Sequence, residues 1–182
     1  MIDMTTLQAR IVTGLREHLQ PFGISAVVER NQDAPAPPYP FVGIKWTTIT
    51  PEPGSGRRER GLVQAEDPRF EHDIQYTYVR NPVLTLSVTI FDRDGTQVHD
   101  IAQAAHDWFM IPELGGDWLE PTGAVIAEVT AITDRDTVLD EQIERRQGFD
   151  ARLRVVDVVA VTVPTIERVI VTGMGVTQEI DL

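Results

Sequence analysis

Val83-Leu84-Thr85-Leu86-Ser87-Val88-Thr89-Ile90-Phe91 is the stretch on which the fold of this chain turns. Leu84, Leu86, Val88 and Ile90 alternate with Thr85, Ser87 and Thr89, a period of two that puts one row on each face of a strand. One face is therefore expected in a core. Upstream, residues 70–79 form a second strand-like run across Arg80-Asn81-Pro82, so the two runs are expected to form a hairpin. Downstream, Asp92-Arg93-Asp94-Gly95 turns the chain into a helix over residues 96–109. Val98, Ile101, Ala102, Ala105 and Trp108 form its buried stripe, and Pro112, Gly115 and Gly116 are expected to end it.

Residues 5–22 read as a second amphipathic helix, with Leu7, Ile11, Leu15 and Leu19 on one face and Val12 beside them. Thr5-Thr6-Leu7-Gln8 fits a capping box at its start, and Pro21 and Gly23 close it. A short strand follows over 24–30, then a stiff proline-marked connector over 31–40, then a strand over 41–50 bearing Val42, Ile44 and Trp46. Residues 51–68 are the least structured part, a long loop or hairpin arm holding Arg57-Arg58-Glu59-Arg60 and Gly61. Its glycines and prolines predict disorder in a free subunit and ordering against a neighbour. The last third is β-rich, over 124–133, 147–163 and 166–172, with Val163-Pro164-Thr165 joining the final two runs and a terminal tail over 173–182. The whole predicts one α+β domain over 1–182, its sheet mostly antiparallel with two main helices packed on one side.

Composition narrows the function classes. At 182 residues a single core is self-sufficient. The net charge is −12, Lys45 is the lone lysine, and the pI is near 4.6, which argues against a nucleic-acid binder or adhesion to an anionic membrane. Cysteine is absent, so thiolate sites and disulfides are excluded. Residues 1–6 lack the basic and then apolar order of a signal peptide, and no stretch is apolar enough to span a bilayer, so a cytosol-like solvent is expected.

No reactive constellation emerges. His99 and His106 lie seven apart rather than at zinc-protease spacing, and His18 and His72 stand alone. Asp92-Arg93-Asp94-Gly95 departs from a calcium loop because the glycine comes too early, and Asp134-Arg135-Asp136 reads as charged turn residues. Gly173-Met174-Gly175 has no helix to open. No catalytic residue, metal or cofactor is expected, and the chain does not read as an enzyme. Arg57-Arg58-Glu59-Arg60 is the one basic cluster, either a solvated loop tip or an arm for an acidic neighbour or a phosphate backbone. Trp46, Trp108 and Trp118 are expected in the core or at its edge.

The order of several short motifs carries more than any one of them. Tyr39-Pro40-Phe41-Val42 is followed by Tyr78-Val79-Arg80-Asn81-Pro82, by Ala102, Ala105 and Trp108, and by Ile132-Thr133-Asp134 with Glu144-Arg145-Arg146-Gln147-Gly148-Phe149-Asp150. Over residues 7–171 this arrangement resembles the neck or tail terminator (tail completion) family of bacteriophages. The resemblance implies a structural virion protein forming a homohexameric ring at the neck, which ends tail-tube polymerisation and joins the tail to the head. Tail-tube or sheath proteins and head-completion or connector proteins would then be its partners, and the genomic DNA would pass through the ring without specific binding. Assembly would occur in the host cytoplasm, and no membrane is implied. Arg57, Arg58, Arg60, Arg145 and Arg146 are the candidate subunit contacts. A head-closure or tail-tube protein of the same particle, or a cellular small-molecule-binding α+β domain, are the alternatives.

Overall fold

The structure, a computed structural model, describes residues 2–24, 26–30, 35–50, 56–93, 95, 97–139, 142–164, 168–173 and 176–181. The chain divides into two compact units, one from residues 2–53 and 81–156, the other mainly from residues 54–80 and 157–182.

The larger unit grows outward from the alternating run that opened the sequence analysis. Strand β5 (Val83–Asp92) lies between β2 (Phe41–Thr50) and β9 (Gln142–Val155), antiparallel to both. β1 (Val27–Glu29) adds in parallel to β2, and β6 (Ala124–Val129) adds antiparallel to β9, for the order β1-β2-β5-β9-β6. Two short strands, β7 (Thr133–Asp134) and β8 (Thr137–Leu139), also pair with β9. Three helices, α1 (Met4–His18), α2 (Val98–Met110) and α3 (Pro112–Leu119), cover one face. Leu84, Leu86, Val88 and Ile90 share a single buried cluster with Phe149, Ala151 and Leu153 of β9. Leu7, Ile11, Leu15 and Leu19 of α1 join it, as do Ile101, Ala102, Ala105 and Trp108 of α2. Each large aliphatic side chain so buried stabilises the unit by about 1.5–3 kcal/mol. The expected α+β class, the sidedness and the core register all hold.

Several local expectations do not. The cap of α1 is Asp3, not the Thr5 and Gln8 box: Thr6 donates its backbone N–H (3.0 Å) and its hydroxyl (2.6 Å) to the Asp3 carboxylate. A carboxylate outdoes a hydroxyl at the positive end of a helix. Gln8 is turned to other use, accepting from Trp46 Nε1 and donating to Glu29, both at 3.0 Å. The helix stops at His18, and residues Gln20–Phe22 continue as a 3-10 turn closed by Gly23 in the left-handed region. Pro112 opens α3 rather than ending α2, because the first turn has no use for its missing N–H. Gly115 belongs to a helix contact, not a stop: a Cβ there would sit 2.3 Å from the Trp108 carbonyl oxygen. The first residue of the second predicted helix, Thr96, lies outside the described residues.

The smaller unit holds β3 (Arg57–Gln64), β4 (His72–Arg80) and β10 (Asp157–Pro164) in the antiparallel order β10-β4-β3. Its second element is the antiparallel pair β11 (Arg168–Gly173) and β12 (Val176–Asp181). The predicted loop over 51–68 is therefore largely a strand, with 51–55 outside the described residues. The expected hairpin of 70–79 with 83–91 does not form. β4 pairs with β3 and β10, while β5 pairs with β2 and β9. The run over 147–163 is likewise split at Val156 between two sheets, and β11 pairs with β12 rather than with β10. The presumed tail over 173–182 supplies β12. Alternation fixes which side of a strand is buried but names no partner.

Candidate assembly surfaces

The helix-free face of the larger sheet is an arginine network. Phe41 and Phe91 stack face to face at 4.6 Å, and the guanidinium groups of Arg146 (5.0 Å) and Arg30 (5.7 Å) lie over the Phe91 ring. Arg135 donates to Ser87 Oγ (2.9 Å), Thr89 Oγ1 (3.2 Å) and the Asp150 carboxylate (3.1 Å). Glu144, buried on the same face, accepts from the Tyr39 hydroxyl and from Arg146 Nε. Burial holds the Arg30 guanidinium below its ordinary pKa, and repulsion from Arg146 and Arg135 adds to the shift. Donation to Glu144 pushes the Tyr39 phenol up. Space for this network comes from Gly148, where a Cβ would meet the Val88 carbonyl oxygen at 2.6 Å and Arg135 Nη1 at 2.8 Å. Lys45, opposite Ser87, stands exposed on the same face.

A different surface lies on the smaller unit. Across β3, β4 and β10 the register aligns Arg58 with Tyr78 and Val159, Arg60 with Tyr76 and Val161, and Leu62 with Ile74 and Val163. Directly opposed residues share a face, so these nine side chains form one panel, apolar and aromatic with two cations along its outer strand. Leu62 is 64% exposed, Val161 44% and Tyr78 37%. Arg58 rests over the Tyr76 ring at 3.9 Å. No helix of the described residues belongs to this unit. At one end of the panel Arg80 and Asp157 pair at 2.5 Å.

The third feature is a groove of about 890 Å³ in the larger unit, between the α2–α3 corner and β6. Phe109, Met110, Pro112, Leu119, Val125 and Val129 line it, together with the acidic residues Asp117, Glu120 and Glu128, the last paired with Arg152 at 2.7 Å. Met110 (52%) and Val125 (59%) are open to solvent. β6 is an edge strand, so the groove runs beside an unfinished sheet.

The five arginines singled out from sequence fall into two groups. Arg57, Arg58 and Arg60 lie together on β3, Arg57 beside Glu59 at 2.5 Å. Arg145 and Arg146 are neighbours on β9 that diverge: Arg145 meets Asp136 at 2.6 Å and is half exposed, whereas Arg146 packs inward with Glu144. Sequence reasoning missed Arg30 and Arg135. The signal available was a glycine, Gly148, in the middle of a long strand, opposite a row of serine and threonine. Trp108 is buried and Trp46 and Trp118 pack against the core cluster. Among the described residues no three His, Asp or Glu groups are placed to hold a metal ion, and no helix is long and apolar enough to cross a membrane.

A helix-covered sheet, a bare three-stranded sheet and an open groove are surfaces of the kind by which structural proteins fit to other proteins. The chain belongs to a family of that class: residues 9–179 of 182 match the model of the phage neck terminator protein family. No curated protein matches it. It is thus a structural protein of the bacteriophage neck, as the order of its short motifs implied.

Proposed function

We propose that six copies close into a ring that caps the tail tube, stops its polymerisation and joins the tail to head-completion or connector proteins. The family match carries this proposal, and because it runs through both compact units, both are taken as parts of one terminator domain. Unfinished sheet edges and two unlike surfaces on each copy support head-to-tail closure. The ring assembles in the host cytoplasm, contacts tube or sheath proteins, and enters the virion at the neck. Genomic DNA passes through it without adhering, since a chain of net charge −12 repels phosphate overall. Arg57, Arg58 and Arg60 contact the neighbouring copy and the half-exposed Arg145 sets register, while Arg146, turned inward to Glu144, holds β9 in place.

Six copies at −12 each carry −72, a repulsion that salt screens within about 10 Å. Exposed ion pairs contribute only about 0–1 kcal/mol each, so apolar contact and strand edges supply most of the adhesion. Light scattering should return a hexameric mass, more firmly at high salt, and added protein should shorten tail tubes polymerised in vitro. A monomer at every salt and concentration, with or without tubes, overturns the proposal.

A further inference from the structure

We propose that the Tyr76–Tyr78 panel of one copy docks into the α2–α3–β6 groove of a second copy, which makes this contact the joint of the ring. The proposal rests on the ring reading above. Its first support is complementarity of charge within one sequence. The panel's polar groups on β3 are the cations Arg58 and Arg60, whereas the groove offers Asp117 and Glu120; Glu128 at its rim is already paired with Arg152 at 2.7 Å. In a chain of net charge −12 such a basic patch is scarce, and it stands on an apolar panel.

The second support is apolar. Leu62, Tyr78 and Val161 on the panel, and Met110 and Val125 at the groove, are among the large apolar side chains left exposed. A contiguous apolar panel left exposed on a sheet marks a surface that interacts with another protein. The groove volume of about 890 Å³ is at the upper end of what a binding cleft offers, enough for several side chains at once. Panel and groove are also different surfaces. Each copy therefore gives one and receives one, the head-to-tail arrangement that closes into a ring, rather than a two-fold dimer.

The cysteine-free chain permits a clean test. Full-length Leu62→Cys and Met110→Cys proteins are prepared separately, mixed, and treated with a short bismaleimide. The covalent heterodimer should form about tenfold faster in the mixture than in either protein alone. It should also exceed the yield with Thr162→Cys, whose side chain lies on the opposite face of the same sheet. Arg58→Glu with Arg60→Glu should lower the yield about tenfold, and adding Asp117→Lys with Glu120→Lys should restore it. A yield no better than the Thr162 control, or no restoration by the charge swap, overturns the proposal. So does cross-linking to tube protein in preference to a second copy. A hexamer by light scattering without cross-linking would remove this joint and leave the ring. Cross-linking without any effect on tube length would keep the joint and remove the terminator function.

Discussion

β4 and β5 follow each other in the chain with two residues between them, yet they live in opposite circumstances. β5 has a partner on each side, helices over its Leu84–Ile90 row, and an arginine network on its other face. β4 also has two partners, but its Ile74, Tyr76 and Tyr78 row has no helix from its own unit above it. The side chains differ accordingly. The inward row of β5 is aliphatic, with nothing polar to offer. β4 carries tyrosines, which combine a large apolar ring with a hydroxyl and so suit surfaces that are wet before docking and dry after it. The same alternation thus serves folding in one sheet and, at the proposed joint, adhesion in the other.

The largest effect should come from placing a charge in each row. Leu86→Asp strands a carboxylate in the core cluster and should cost several kcal/mol, about 4 or more, abolishing the cooperative thermal transition. Tyr76→Asp should leave that transition in place and abolish oligomer formation. If both variants unfold alike, the contrast between the sheets fails.

Glycines offer a second contrast. At Gly148 a Cβ meets the Val88 carbonyl oxygen and displaces Arg135, so Gly148→Ala should cost about 1–3 kcal/mol in urea denaturation. Gly61 on β3 has nothing within 4 Å of its hypothetical Cβ, and Gly61→Ala should be neutral or stabilise by up to about 1 kcal/mol. A comparable loss at both positions would show that β3 is packed as tightly as β9.

Gln8→Ala removes the bridge from Trp46 to Glu29 and should cost about 1 kcal/mol, again by urea denaturation. The smallest effect is on acid stability. The backbone N–H of Arg146 donates to Asp136 at 2.7 Å, which is the main reason its carboxyl is held below the ordinary 3.8, with Arg145 adding a second bond. A depressed carboxyl stabilises the fold fully above its unfolded value and loses that contribution as pH falls through the folded one. Melting temperature followed from about pH 5 to pH 2 should therefore fall less steeply for Asp136→Asn than for the wild type.

Much of the larger unit was legible because burial writes itself into apolar spacing. The stripes of α1 and α2 and the inward row of β5 followed from period alone. Pairing did not, since Tyr76 and Leu86 alternate equally well and neither says which strand lies beside it. α3 was hidden because Gly115 and Gly116 read as terminators, when Gly115 is required by contact with Trp108. Arg57 to Arg60 looked like loop because an edge strand dressed in charge and exposed along its length has the composition of one. The arginine network was invisible for a related reason. Arg30 lies more than a hundred residues from Arg135 and Arg146, and it meets them only across the sheet.

Lys45 has a practical use that follows from its solitude. The chain's one ε-amine stands exposed on β2, on the helix-free face of the larger sheet. With the terminal amine acetylated, an amine-reactive dye would attach at that side chain. Every labelled copy would then carry one fluorophore at an equivalent position. In a closed assembly those fluorophores exchange excitation, so polarised emission collapses as rings form and recovers when unlabelled protein dilutes them. Ring closure becomes readable in real time, in dilute solution, with the sequence otherwise intact.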